Sequence, residues 1–154
     1  MKLRLGTVND AAEMERVAIA AVGESGYTPE QIDAWLGGFT EERMREICEQ
    51  SFVMVVEQNN EMLGFATLIE RGETAGDLDL WYVNPDFKRR GVGKLLVRAI
   101  EDRARQQEMT AIWVDASQPA THRLEQLGYR VHDDYKKTVN GVVFYNNWML
   151  KRFT

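Results

Sequence analysis

The 154-residue sequence predicts a mixed α/β (α+β) fold, with a central sheet flanked by helices and a C-terminal β-hairpin. Three observations predict it. Residues 52–56, Phe-Val-Met-Val-Val, are continuously apolar and β-branched, as a strand buried on both faces requires. Residues 92–107 place apolar side chains at helical spacing in the longest such run of the chain. Asn140-Gly141 separates two strand-like stretches and tolerates the positive φ of a tight hairpin turn.

Taken in order, residues 3–5 read as a short strand. Residues 7–10 offer caps for a helix that begins at Ala11. After Gly23 and Gly26, Thr28 is an N-cap with Pro29 in the first helical position and Gln31 completing a capping box. That helix carries Ile32 and Trp35 and stops at Gly37-Gly38. Thr40 caps a third helix, which carries Met44 and Ile47. Asn59-Asn60 turns the strand at 52–56 into a second at 62–69. Residues 72–76 form a loop, and residues 77–83 alternate as a third strand that ends at Asn84-Pro85. Asp77, Asp79 and Trp81 then share one strand face. In the long helix, Lys94, Arg98, Glu101 and Arg105 are expected to face outward. Residues 111–114 form a further strand and residues 119–127 a helix, closed by Gly128 as a left-handed cap.

Composition narrows the function. The 44% hydrophobic and 28% charged content suits one globular domain over 1–154. No stretch approaches the roughly 18 consecutive apolar residues of a membrane span, and the first residues lack a signal core. No membrane association and a cytoplasmic location are expected. Cys48 is the only cysteine, so there is no intrachain disulfide or cysteine-rich zinc site. His122 and His132 have no ligand cluster near them in sequence, and no metal is expected. A net charge of −5 argues against nucleic acid as a partner.

Against that acidic balance, Lys88, Arg89, Arg90, Lys94 and Arg98 crowd into eleven residues. By charge alone this is a solvated helix face. Its place in the chain says more. A strand ends at Val83, a short turn follows, and Gly91-Val92-Gly93 opens the long helix. A helix start leaves about four amides unpaired and carries about half a positive charge. Glycines let a ligand approach the backbone. A pyrophosphate matches such a cradle. It is not a nucleotide P-loop, because Leu95 follows Lys94, nor a dinucleotide fingerprint, because Leu96 stands where the third glycine belongs.

The run Val83-Asn84-Pro85-Asp86-Phe87-Lys88-Arg89-Arg90-Gly91-Val92-Gly93 resembles the hallmark of the GNAT superfamily of N-acetyltransferases, a strand ending in valine and proline followed by [QR]-x-x-G-x-[GA] at a helix start. Lys88 stands at the glutamine or arginine position, which keeps charge and loses arginine's planar fork. Residues 4–10 are similar to the family's opening. Ala116-Ser117, Ala120 and residues 124–129 look like its second motif, A-x-x-x-Y-x-x-x-G-[FY], with Leu124 in place of the tyrosine.

The resemblance implies a GNAT-like sheet and transfer of an acetyl group from acetyl-CoA to a primary amine by direct attack in a ternary complex. It implies cofactor contacts from Tyr82 and Val83 along the pantetheine arm, at a splay between two parallel strands. It also implies contacts from Lys88, Arg89, Arg90, Gly91, Val92, Gly93 and Lys94 around the pyrophosphate, and from Ser117. Asp79, nearer the expected thioester than Asp77, is the candidate base. A leucine at 124 cannot protonate the departing thiolate, so Ser117, Tyr82 or Tyr135 would assist. Tyr27, Trp35 and Phe39 fall in the region that covers the acceptor in this family. The acceptor is an amine-bearing small molecule or peptide, and the final strands are a candidate homodimer contact. Leu124 keeps open a non-catalytic CoA-binding regulatory module, and the glycine loop alone a nucleotide-binding protein.

Overall fold

The computed structural model describes residues 1–153. Among the described residues, seven strands form one sheet: β1 (Lys2–Leu5), β2 (Phe52–Gln58), β3 (Glu61–Arg71), β4 (Ala75–Val83), β5 (Ala111–Ala116), β6 (Arg130–Val139) and β7 (Val142–Arg152), in the order β1-β2-β3-β4-β5-β7-β6. Every neighbouring pair is antiparallel except β4 and β5. The helices are α1 (Ala11–Gly23), α2 (Pro29–Leu36), α3 (Glu41–Gln50), α4 (Val92–Gln106) and α5 (Gln118–Gln126). No helix among the described residues is long and apolar enough to cross a membrane.

The local signals fold as expected. Thr28 accepts from the Gln31 amide while Gln31 accepts from the Thr28 amide, each at 3.1 Å. Thr40 caps α3 through the Arg43 amide at 3.0 Å. Asn140 and Gly141 both have positive φ in the β6–β7 hairpin, and Gly128 closes α5 at φ +97°. β4 begins at Ala75, earlier than the glycines predicted.

The sheet is covered on both faces. Val53, Val55 and Phe65 pack with Met14, Val17, Met44 and Ile47 of α1 and α3. Val56, Leu63 and Ile112 pack with Leu96, Val97 and Ile100 of α4 and with Leu124 of α5. β2 therefore buries both faces, as its unbroken apolar run predicts.

Two expectations are corrected. Glu101 does not face outward; it is fully buried. Its carboxylate accepts from Arg98 (2.8 Å), Tyr129 (2.9 Å) and Lys151 (3.0 Å), which tie α4 to the end of α5 and to β7. Burial opposes its charge, but these three donors hold its pKa below the ordinary value. Tyr129 is accordingly core, not catalytic. The helical pattern could not show this, because the partners come from residues far along the chain.

Glu101→Leu leaves Lys151 and Arg98 without their carboxylate and is expected to cost about 3 kcal/mol in urea unfolding. A lowered folded pKa gives stability that is present above the unfolded carboxylate pKa and lost as pH falls through the folded one. Glu101→Gln should therefore flatten the acid limb of the stability profile below about pH 4.

The second correction concerns β4. Ala66 pairs with Trp81 and Leu68 with Leu78, so Thr67 opposes both Asp79 and Leu80. This is a β-bulge. The fully buried Thr67 accepts the Leu80 amide at 2.9 Å and fixes it. Leu78 and Trp81 consequently pack on the α4 face, while Leu80 and Tyr82 pack on the α1–α3 face. Trp81 does not share a face with Asp77 and Asp79, because the extra residue shifts the alternation.

Candidate active site

β4 and β5 pair only from Ala75–Ala111 to Asp77–Trp113. Beyond that they separate, and a cleft of about 980 Å³ passes between them. Tyr82 and Val83 both line it; with the Asn84 amide on the Leu63 carbonyl at 2.8 Å and Tyr82 opposite Phe65, the Tyr82 backbone turns to β3 and the Val83 backbone turns to the gap. An extended ligand arm fits the gap by adding strand-like bonds.

On one side the cleft runs to the start of α4. The first α4 hydrogen bond is Leu95 N–H to Gly91 C=O at 3.0 Å, so the preceding amides of Val92, Gly93 and Lys94 have no helical acceptor. The two motif glycines have different reasons. Gly91 is left-handed at φ +81°, and a Cβ there would meet nothing within 4 Å. A Cβ on Gly93 would lie 3.2 Å from Trp81, whose indole N–H donates to the Gly93 carbonyl at 3.0 Å. Gly64 in β3 likewise leaves room for Val92 and Leu96. These contacts seat the α4 N-terminus against β4.

Lys88, Arg89 and Lys94 line the cleft, and none is ion-paired among the described residues. Arg90 is not among the lining residues; its guanidinium lies over the Phe87 ring at 5.3 Å. The opposite wall is α5. Ser117 caps it, accepting from the Ala120 amide at 3.4 Å, which leaves the hydroxyl proton free to donate into the cleft. Leu124 is fully buried in the core and also lines the cleft floor.

Sequence reading missed Arg123. Its guanidinium stacks over Trp81 at 4.6 Å inside the cleft, with no acidic partner among the described residues, and burial lowers its pKa. A lone arginine on a helix reads as solvated in sequence, and only the packing of α5 against β4 turns it inward. Unpaired cations on two walls and free amides on one fit a pyrophosphate-bearing ligand.

The other side of the cleft opens on the α1–α3 face. Asp79 lines it with its side chain open to the cleft; partial desolvation by the cleft walls raises its carboxyl pKa, and Arg43 only partly offsets this. Asp77 does not line it. Instead Asp77 lies 3.5 Å from Arg71. Trp35, Phe39 and Phe144 form an aromatic wall around Tyr82, with Trp35 6.5 Å and Phe39 5.7 Å from its ring. Tyr27 joins this wall, 5.5 Å from Trp35 and 5.6 Å from Phe144, and its hydroxyl accepts the Gln118 amide at 3.2 Å. Enclosure drives the Tyr82 pKa well upward, so its phenol stays neutral.

Asp115 of β5 lies here too. Lys137 and Asn146 donate to its two oxygens, each at 3.0 Å. Burial works against the charge, but Tyr135, Asn146 and Lys137 outweigh it and hold the Asp115 pKa low. Tyr135 is engaged with Asp115, stacks on Trp148 at 5.8 Å, and does not line the cleft. Asp115, Lys137 and Asn146 were not singled out from sequence, since their meeting depends on the β5–β7–β6 register. His122 is exposed on α5.

Comparison with known proteins places this geometry. A family model described as an acetyltransferase (GNAT) domain matches residues 24–150. The uncharacterized N-acetyltransferase YafP of Escherichia coli (strain K12) is 30% identical over 132 residues, 86% of this chain and 81% of that protein. The crystal structure of a GCN5-related N-acetyltransferase from Rhodopseudomonas palustris superposes with a TM-score of 0.89 at 26% identity, over 99% of this chain and 95% of that one. The PaiA N-acetyltransferase of Thermoplasma acidophilum, solved in complex with coenzyme A, shares the fold at 15% identity, with a TM-score of 0.81 over 99% of this chain and all of that one.

Proposed function

Because the chain belongs to the GNAT family of acetyltransferases, we propose that it transfers the acetyl group of acetyl-CoA to a primary amine by direct attack in a ternary complex. The observation that carries this reading is the cleft itself. It runs without interruption from the amides of α4, past the β4–β5 splay, to a carboxylate on the far face of the sheet. Coenzyme A complexes among structures of the same fold support it.

When bound, acetyl-CoA supplies a thioester whose acyl carbon bonds to the amine nitrogen as the C–S bond breaks. The chain's residues do the rest. Amides of Val92, Gly93 and Lys94, with Lys88 and Arg89, hold the pyrophosphate. The Arg90 backbone belongs to the same turn. Val83 guides the pantetheine arm through its backbone, and Tyr82 lines the arm's path. Asp79 takes the proton that an amine with pKa near 10.4 must lose before it can attack. Ser117 offers its free hydroxyl proton to the departing sulfur. Leu124 cannot do so, and a thiol with pKa about 8.5 needs little help to leave. Arg123→Ala should weaken CoA binding about tenfold, the worth of one charge-assisted hydrogen bond, measured by calorimetry.

The reading covers one catalytic domain over 1–154, and a cytoplasmic location suits a reaction drawing on acetyl-CoA. The edge strand β6, paired only with β7 among the described residues, supports the proposed homodimer contact. The test is calorimetry with acetyl-CoA followed by an amine screen, with mass-spectrometric detection of acetylated product. No binding at millimolar cofactor overturns the reading. Binding without turnover on any amine replaces it with the regulatory module.

A further inference from the structure

Asn146 is 5% exposed, lines the cleft on its acceptor side, and has no partner for its side-chain oxygen among the described residues. Its orientation is fixed. The amide nitrogen donates to Asp115 at 3.0 Å, and a flipped amide would set its oxygen against that carboxylate. The free Oδ1 is therefore a buried acceptor that lacks a donor.

Its surroundings limit what can bring one. Trp35, Phe39 and Phe144 make the wall aromatic. The Asp115 charge is met by Lys137 at 3.0 Å. Glu24 lines the same cleft but is exposed. Asp79 is exposed at the cleft as well, and neither it nor Glu24 has an ion-pair partner among the described residues. A ligand seated against Asn146 meets one unfilled hydrogen-bond acceptor and flat apolar surfaces, with the Asp79 and Glu24 charges open to the rest of the cleft.

We infer that the acceptor is a small primary monoamine with an aromatic or bulky apolar body, whose N–H Asn146 Oδ1 receives while Trp35 and Phe144 enclose the body. The inference rests on the acetyltransferase reading and adds the substrate class. A polyamine or aminoglycoside would carry further cations into a wall that offers rings, and would leave their solvation unreplaced. An acidic peptide would meet Asp79 with like charge.

The test compares kcat/KM for phenylethylamine and cyclohexylmethylamine with spermidine, kanamycin and an alanine-initiated peptide, using the full chain and acetyl-CoA. At least a tenfold preference for the two apolar monoamines is expected. Asn146→Leu and Trp35→Leu should each lower kcat/KM for phenylethylamine about tenfold while calorimetric CoA affinity is unchanged, a split that general loss of structure would not give. Preference for spermidine, kanamycin or the peptide overturns the substrate class and leaves the acetyltransferase standing. An unchanged kcat/KM in both variants overturns the subsite. CoA binding without acetylation of any of the five overturns the substrate class, and only a negative result across the whole amine screen overturns the acetyltransferase reading.

Discussion

Replacing Gly93 with glutamate is expected to abolish CoA binding, with affinity falling at least a hundredfold in calorimetry. Two effects combine. The Cβ would lie 3.2 Å from Trp81 Cζ2 and 3.5 Å from Val83, so α4 must lift from β4 or the indole must move. The carboxylate then enters a cleft lined by Lys88, Arg89, Lys94 and Arg123 and neutralises the field that holds an anion. One like charge about 4 Å from a phosphate costs about 4 kcal/mol at an effective dielectric near 20, which alone exceeds a hundredfold. Gly93→Ala separates the effects, since it keeps the steric change and omits the charge. Alanine should weaken binding far less than glutamate. Equal losses would mean that the seat of α4 matters and the anion site does not.

Asp79→Asn is expected to lower kcat by about a hundredfold to ten-thousandfold, the usual worth of a positioned base, with CoA affinity unchanged. The pH profile makes the role specific. Partial desolvation in the cleft raises the Asp79 pKa, so the acid limb of the wild-type rate should lie above the usual carboxylate range near 4, and the variant should lose that limb. Stability should move the other way. A carboxyl whose folded pKa is raised stabilises the fold at low pH, and that contribution is lost as pH rises, so at neutral pH the charge is a burden. The neutral amide of the Asp79→Asn variant would remove it, and thermal stability should hold or rise as activity collapses. A variant that loses activity and stability together would mark Asp79 as structural.

What was legible in the sequence was local. Thr28, Thr40, Gly128 and the Asn140-Gly141 turn act on their own backbone, so their residue types announce them. The glycine loop was legible for the same reason, as both strand end and helix start lie within it. What was not legible depends on partners distant in the chain. Glu101 reads as an outward charge until Tyr129 and Lys151 arrive from 28 and 50 residues away. Arg123 reads as solvated until α5 meets Trp81. Asn146 becomes an acceptor only because Asp115, 31 residues earlier, takes its amide nitrogen. The Trp81 face was misread because alternation assumes an unbroken pleat, and Thr67 holds a bulge that no residue in β4 itself signals.

That bulge makes β4 a strand with two independent reading frames. The half before it aligns with β5, and the half after it presents Trp81 to the helix that carries the glycine loop and Tyr82 to the aromatic wall. Length changes are therefore unequal along this segment. Deleting Gly72 or Glu73, which precede the Thr74 carbonyl that holds the Thr110 amide at 2.7 Å, alters only a loop. Deleting Asp79 or Leu80 would restore a regular pleat and turn Trp81 and Tyr82 to each other's side. A family descended from this chain should carry its insertions and deletions in the turn and keep the length from 77 to 83 fixed, even where the side chains between change.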